Sequence, residues 1–233
     1  MALIKQTSQE HLENWIPKTD LGKKVKNKEI TNIDVILENG HKILEPEVVD
    51  LLLPNLDIEL IETGRAKGKF GGGKASIWRQ TQKATKEGNR MKFSTFVVIG
   101  NKEGYLGIGY GSAKETVPAR EKAIRDAKLN IIKIKKGCGS WDCGCGETHS
   151  IPHKTTGKVG SSKMVLLPAP KGAGLSIQKK CKKLLEIAGI KDVYSDTFGQ
   201  TRTKLNLYRA CFAALKEISK LKVIEKVVEK WTK

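Results

Sequence analysis

The residues best suited to chemistry are crowded into one short stretch. Cys138, Cys143, Cys145, His149 and His153 place five soft or borderline ligands within sixteen residues, in a chain with only five cysteines and four histidines. Zinc favours four such ligands in a tetrahedron, and three thiolates with one imidazole are a common structural set. Gly137, Gly139, Gly144 and Gly146 permit the tight turns that closely spaced ligands need. The expected set is Cys138, Cys143, Cys145 and His149, with His153 as a spare after Pro152. The alternative is free thiols in a loop, because a C-x-C step is less usual than C-x-x-C. Four protein ligands would close the site and leave no position for catalytic water. An odd, clustered cysteine count also argues against a disulfide framework, and Cys181 and Cys211 fall on apolar helix faces as core residues.

Three glycine motifs invite a phosphate. Gly68 to Lys74 satisfies G-x-x-x-x-G-K, but Ala75 stands where a P-loop needs a hydroxyl for magnesium. Gly107, Gly109 and Gly111 resemble a dinucleotide fingerprint whose third glycine falls one residue early, so close packing or strand twist is the better reading. Pro170 to Ser176 is a glycine-rich turn entering a helix, a place where backbone N–H groups can hold a phosphate. It looks like the phosphate loop of the galactokinase and homoserine kinase superfamily. A phosphotransferase using this turn is the alternative function, but no paired carboxylate stands ready to activate a hydroxyl, and Lys171 suits an RNA phosphate equally well. His11 and His41 have no nucleophile context, so no catalytic constellation emerges.

Charge supplies the other functional signal. The 233 residues carry 43 Lys and Arg against 25 Asp and Glu, a net +18. Self-repulsion of that size opposes compaction unless a polyanion neutralises it, with nucleic acid the leading partner and an anionic membrane surface second. Thr63 to Lys92 alone holds nine basic residues and one acid, a net +8. Its candidate RNA contacts are Arg65, Lys67, Lys69, Phe70, Gly71, Gly72, Gly73, Lys74, Arg79, Lys83 and Arg90, with Lys171 further on. The glycines let backbone N–H groups approach phosphates, and Phe70 and Trp78 offer rings for stacking. The start, MALIKQTSQE, lacks a secretory pattern, and the apolar run near Val48 stops at Pro54, far short of a spanning helix. An internal protein that does not cross a membrane is expected.

The elements that must position these residues follow from periodicity. Residues 1–53 read as a lead-in with a β-branched strand from Ile30 to Leu37 and a helix opened by Pro46. Residues 54–136 read as a strand at Leu56 to Ile61, a flexible basic loop, a hairpin of Met91–Ile99 with Tyr105–Tyr110, and a helix from Val117. That helix presents Val117, Ile124, Ala127 and Ile131 on one face. This order, a small sheet covered on one side by a helix, is that of a double-stranded-RNA-binding type of core, although the same elements fit many α+β modules. Residues 137–153 are the Cys/His insert. Residues 154–222 form a second block with its own core: a strand at Lys158–Leu167, a helix at Ser176–Ala188, a strand at Asp192–Phe198 and a helix at Thr203–Leu221. Residues 223–233 are an amphipathic tail.

Three segments together resemble one family: Trp15-x-Pro17-x-Thr19-x-Leu21-Gly22 with Val25-Lys26, Gly104 to Lys114, and Leu167 to Gly174 followed by Leu185 to Ile190. They look like the small-subunit ribosomal protein of the bacterial S-five and eukaryotic S-two family, and the Cys-Gly-Cys insert is similar to the archaeal branch. The resemblance implies an α+β fold of two domains, a double-stranded-RNA-binding-like N-terminal domain and a ribosomal S-five C-terminal-type βαβα domain. It implies a non-enzymatic constituent of the cytoplasmic ribosome that binds small-subunit rRNA. Its neighbours would be proteins of the S-four, S-three and S-eight families, close to the channel by which messenger RNA enters, where it supports decoding accuracy.

Overall fold

The computed structural model describes residues 15–65 and 75–220. Three short helices come first: α1 (Asp20–Lys26), α2 (Ile33–Glu38) and α3 (Pro46–Leu52). Thr19 caps α1, its hydroxyl accepting from the Gly22 N–H at 3.1 Å. The strand expected at Ile30–Leu37 is instead α2. Ile33 and Ile36 lie one turn apart, so a helix can bury both against Val25, Val48, Val49 and Ile131, and that packing overrides β-branched propensity. Asp34 on α2 accepts from Tyr105 at 2.6 Å and pairs with Lys133, tying the lead-in to the first sheet.

That sheet contains β1 (Asp57–Ile61), β4 (Arg79–Thr85), β5 (Gly88–Gly100), β6 (Tyr105–Ala113) and β7 (Ile131–Lys133), with β2 (Gly64–Arg65) and β3 (Ala75–Ser76) as a separate short pair. The path runs β1-β5-β6-β7, with β4 also on β5. The expected hairpin of β5 and β6 is present, closing around residues 101–104. Its neighbour α4 (Thr116–Leu129) buries the expected Ala127 and half-buries Ile124, and Ile131 is buried just beyond it in β7, but Val117 is 64% exposed and Ala119 and Ala123 are buried instead. The glycines explain the choice. A Cβ at Gly109 would come within 2.1 Å of the Ala123 carbonyl, and one at Gly111 within 2.1 Å of the Ala119 carbonyl. An alanine stripe therefore rests directly on a strand face stripped of side chains. Close packing is the role of Gly107, Gly109 and Gly111.

The second sheet has the order β10-β11-β9-β8, from β8 (Thr155–Val159), β9 (Ser162–Pro168), β10 (Leu175–Ser176) and β11 (Val193–Phe198). The single strand expected at Lys158–Leu167 is a hairpin, broken at Gly160, whose φ of 60° suits a tight turn. Helices α5 (Lys179–Ala188) and α6 (Lys204–Ser219) complete the block. Gly157 repeats the device of the first sheet, since a Cβ there would meet the Ala210 carbonyl at 2.0 Å.

The second block does not keep its core to itself. Phe96, Val98 and Leu106 of the first sheet join Leu184, Tyr208 and Met164 of the second block in one buried cluster. Phe96 and Tyr208 stack with centroids 5.4 Å apart. Successive residues of β5 therefore face different partners, Val97 and Ile99 toward α4 and Phe96 and Val98 toward α5 and α6. The first sheet is covered on both faces rather than one, which is why the second half of β5 is buried without alternation. A backbone bond from Lys102 N–H to the Ile187 carbonyl, 2.9 Å, fastens the β5–β6 turn to the end of α5. No described helix is long and apolar enough to cross a membrane.

Candidate nucleic-acid interface and metal centre

Arg79, Lys83 and Arg90, expected on a flexible loop, stand on a regular antiparallel ribbon. Strand β4 pairs with the first half of β5 from Arg79↔Ser94 to Thr85↔Gly88, around a two-residue turn at Lys86-Glu87. Directly opposed residues share a face. Arg79, Thr81 and Lys83 thus lie on one face with Ser94, Lys92 and Arg90, while Gln80, Gln82, Ala84, Asn89, Met91 and Phe93 form the other. All four cations fall on the first face and all are exposed. Lys83 stands directly across from Arg90, and like charges opposed in this way destabilise a ribbon. Among the described residues only Glu87, 3.0 Å from Arg90, offsets them, in a pair that is itself well exposed. The alternation that defines this face was present in the sequence; the glycines and charge of the surrounding stretch masked it.

Lys67, Lys69, Phe70, Gly71, Gly72, Gly73 and Lys74 lie outside the described residues, as do the Gly68–Lys74 motif and the tail 223–233. The backbone of Arg65 in β2 pairs with Ala75 in β3, so the ladder joins the two ends of that segment. Trp78 is half-buried.

The cysteine segment closes into the expected cluster. One ligand atom each from Cys138, Cys143, Cys145 and His149 lie within 4.8 Å of one another. The Cys138 and Cys145 sulfurs are 3.7 Å apart, and His149 Nε2 is 3.7 Å from Cys143 Sγ. A tetrahedron built on zinc–sulfur bonds of about 2.3 Å has edges of roughly 3.7 Å, so these separations fit the ion. The Cys143–Cys145 edge is tighter, at 3.2 Å. His153 is not part of the group. The Lys171 backbone N–H, ahead of the neighbouring Cys145, pulls the Cys143 thiol down to about 6, whereas burial pushes Cys138 up to about 11. The fold therefore favours the thiolate at Cys143 and the thiol at Cys138.

Sequence reasoning missed the residue behind the histidine. Asp192 and His149 are 6% and 4% exposed, with Asp192 Oδ2 2.7 Å from His149 Nδ1. The contact is close but outside hydrogen-bond alignment; it leaves Nε2 toward the sulfurs, and a carboxylate on the far nitrogen is how metal-binding imidazoles are commonly oriented. The other carboxylate oxygen, Oδ1, accepts the N–H groups of Gly172 at 3.2 Å and Gly174 at 2.8 Å. Both glycines have positive φ, 90° and 69°, so the turn needs glycine to aim its amides inward. An isolated Asp at a strand start carries no sequence pattern, and its partners are remote in the chain.

Asp192 also corrects the phosphate reading of Pro170 to Ser176. The amides that would cradle a phosphate already hold a carboxylate. The turn leads into β10, and α5 begins only at Lys179, not at the expected Ser176, so no helix terminus supports it. Lys171, expected on RNA, pairs with Glu147 at 2.6 Å on the surface, which raises the lysine and lowers the carboxyl. The turn is a joint between the cysteine segment and the second sheet.

Comparison with known proteins agrees with this architecture. Residues 77–135 match the profile described as ribosomal protein S5, N-terminal domain, and residues 157–228 match ribosomal protein S5, C-terminal domain. The cysteine cluster falls between the two. The chain is 48% identical over 213 residues to small ribosomal subunit protein uS5 of Nanoarchaeum equitans, covering 91% of each chain. It is 47% identical over 220 residues to uS5 of Methanocaldococcus jannaschii, covering 94% of each, and 45% identical over 216 residues to that of Methanothermobacter thermautotrophicus, covering 93% of each. With both halves matched and nearly the whole length aligned, the chain belongs to the ribosomal protein S5 (uS5) family.

Proposed function

We propose that the chain is a structural constituent of the small ribosomal subunit, and that it grips ribosomal RNA through the cationic face of the β4–β5 ribbon. The observation that carries this reading is the opposition of Lys83 and Arg90 with Arg79 and Lys92 on the same face. Such a face is costly in isolation and favourable beside phosphates, whose contacts position a protein without reading sequence. The family reading adds neighbours of the S-four, S-three and S-eight families, a place near the path of messenger RNA in cytoplasmic ribosomes, and support of decoding accuracy. No catalytic step is assigned to it.

Zinc is the ion this reading assigns to Cys138, Cys143, Cys145 and His149. It would crosslink the cysteine segment and, through His149 and Asp192, fix it on the second sheet; its chemistry there is structural, because four protein ligands fill a tetrahedron. Elemental analysis of the reduced, gel-filtered protein should return about one equivalent of zinc, and less than half would count against the site. For RNA, contact with six to ten phosphates gives a log–log dependence of affinity on salt with a slope on the order of −4 to −9. A nearly flat salt response would remove the RNA reading.

A further inference from the structure

The cationic face does not end at the root of the ribbon. Arg79, its last member, also lines a cleft of about 340 Å³ whose other walls, among the described residues, are Thr63, Arg202, Thr203, Lys204 and Leu205. Two parts of the fold meet here. Thr63 and Arg79 come from the ends of the short β2–β3 ladder and the start of β4; Arg202 to Leu205 come from the turn after β11 and the first residues of α6. No carboxylate is among the described residues that line the cleft. Lys204 is fixed on its wall, its ammonium donating to the Gly64 carbonyl at 3.1 Å. Arg79 and Arg202 are exposed and make no ion pair among the described residues. The Thr63 hydroxyl donates to the Ile77 carbonyl at 2.9 Å, so its oxygen faces the cleft's chemistry only as an acceptor. The Thr203 side chain makes no capping bond to α6.

We infer that this cleft seats one phosphodiester of the bound RNA strand, held by Arg79 and Arg202, with the charge of the fixed Lys204 beside them. Two guanidinium groups with no ion pair among the described residues, brought together from distant parts of the chain beside the Lys204 ammonium, describe a site for a concentrated negative charge. Guanidinium groups suit phosphate because their planar forks can bond two oxygens at once. The volume lies at the lower end of ligand-binding clefts, room for a sugar–phosphate unit rather than for a larger cofactor. Because Arg79 belongs to both, an RNA strand lying along Lys83, Arg90 and Lys92 can pass its backbone into the cleft without leaving the positive surface. The inference rests on the RNA-binding reading and assigns it a second anchor, at the junction of the two blocks, in residues 202–204.

The test is a salt titration of binding between the full-length protein and a small-subunit ribosomal RNA transcript, for wild type, Arg202→Ala, Arg202→Lys and the ribbon variant Lys83→Ala/Arg90→Ala. Arg202 makes no bond within the described fold, so its variants should melt as wild type does. Arg202→Ala is expected to make the log–log slope shallower by about one unit, the loss of one phosphate contact. Arg202→Lys should recover most of that slope, because it keeps the charge. If Arg202→Ala binds with the wild-type slope while the ribbon variant loses slope, the cleft assignment is overturned and the RNA reading stands. If wild type shows no salt-dependent binding, the RNA reading itself fails and this inference with it. Inorganic phosphate and ATP are titrated against the free protein in parallel. Saturable binding of either that Arg202→Ala abolishes would assign the cleft to a free phosphate compound and overturn the RNA assignment, whereas no saturation supports it.

Discussion

The β4–β5 ribbon and the cysteine segment are held in opposite ways. The ribbon relies on a backbone ladder, and its cations remain in water on one face. The cysteine segment has little regular structure, a single bridge between Gly137 and Ser150, and depends on side chains gathered around His149 and a carboxylate only 6% exposed. Side chains held in water can be removed without unfolding the element that carries them. Side chains that replace missing secondary structure cannot. The ribbon is thus built to meet something outside the chain, and the cysteine cluster to complete the chain itself.

Removing zinc should give the largest effect. A chelator is expected to lower stability by about 4 kcal/mol where free zinc stood at a thousandfold its dissociation constant. Hydrogen exchange should rise over residues 137–153 and 170–174 and stay unchanged over 79–94; a uniform rise would erase the contrast between the two regions. Asp192→Asn comes next. Losing the oriented carboxylate should weaken zinc about 10- to 100-fold, the usual consequence of losing an outer-shell partner, measured by competition with a chromophoric chelator. Unchanged zinc affinity would reduce Asp192 to a tie for the glycine turn.

The ribbon should answer in the other currency, RNA affinity. Lys83→Ala/Arg90→Ala is expected to weaken RNA binding on the order of tenfold at low salt, with the slope shallower by nearly two units. Its melting point should hold or rise slightly, since the opposed charges are gone. Equal losses of stability and binding would make the ribbon structural. A smaller effect is expected at the lead-in. Burial works to raise the Asp34 carboxyl, but hydrogen bonds from Lys133 and Tyr105, with the Lys133 charge, hold it below its ordinary 3.8. A carboxyl lowered by folding stabilises above its unfolded value and loses that contribution as pH falls through the folded one. The tie between α2 and the first sheet should therefore weaken only below pH 3.8, and Asp34→Asn should remove that acid step in a pH series of melts.

Much of this was legible in the sequence where one local pattern decided the outcome. The β5–β6 hairpin, the helical stretch after Pro46 and the gathering of Cys138, Cys143 and Cys145 with His149 all follow from spacing over a few residues. The failures share a cause. Ile30–Leu37 carries strand residues, yet its two buried isoleucines find partners only across a helix turn. Val117 looked like a core residue, but glycines on a strand chosen by tertiary pairing admit alanines alone. The second block seemed self-sufficient because no local signal says that Phe96 will stack on Tyr208. Asp192 was invisible for the same reason, its two roles being set by residues 18 to 43 positions away.

A folded, zinc-closed chain is expected to offer its ribbon to the small ribosomal subunit. Co-sedimentation of the purified protein with small subunits at moderate salt tests it most directly. The wild-type chain should pellet with the subunits near one copy each, and Lys83→Ala/Arg90→Ala should be displaced at lower salt. A folded wild-type protein that remains in the supernatant, or a ribbon variant that pellets identically at every salt concentration, would contradict it.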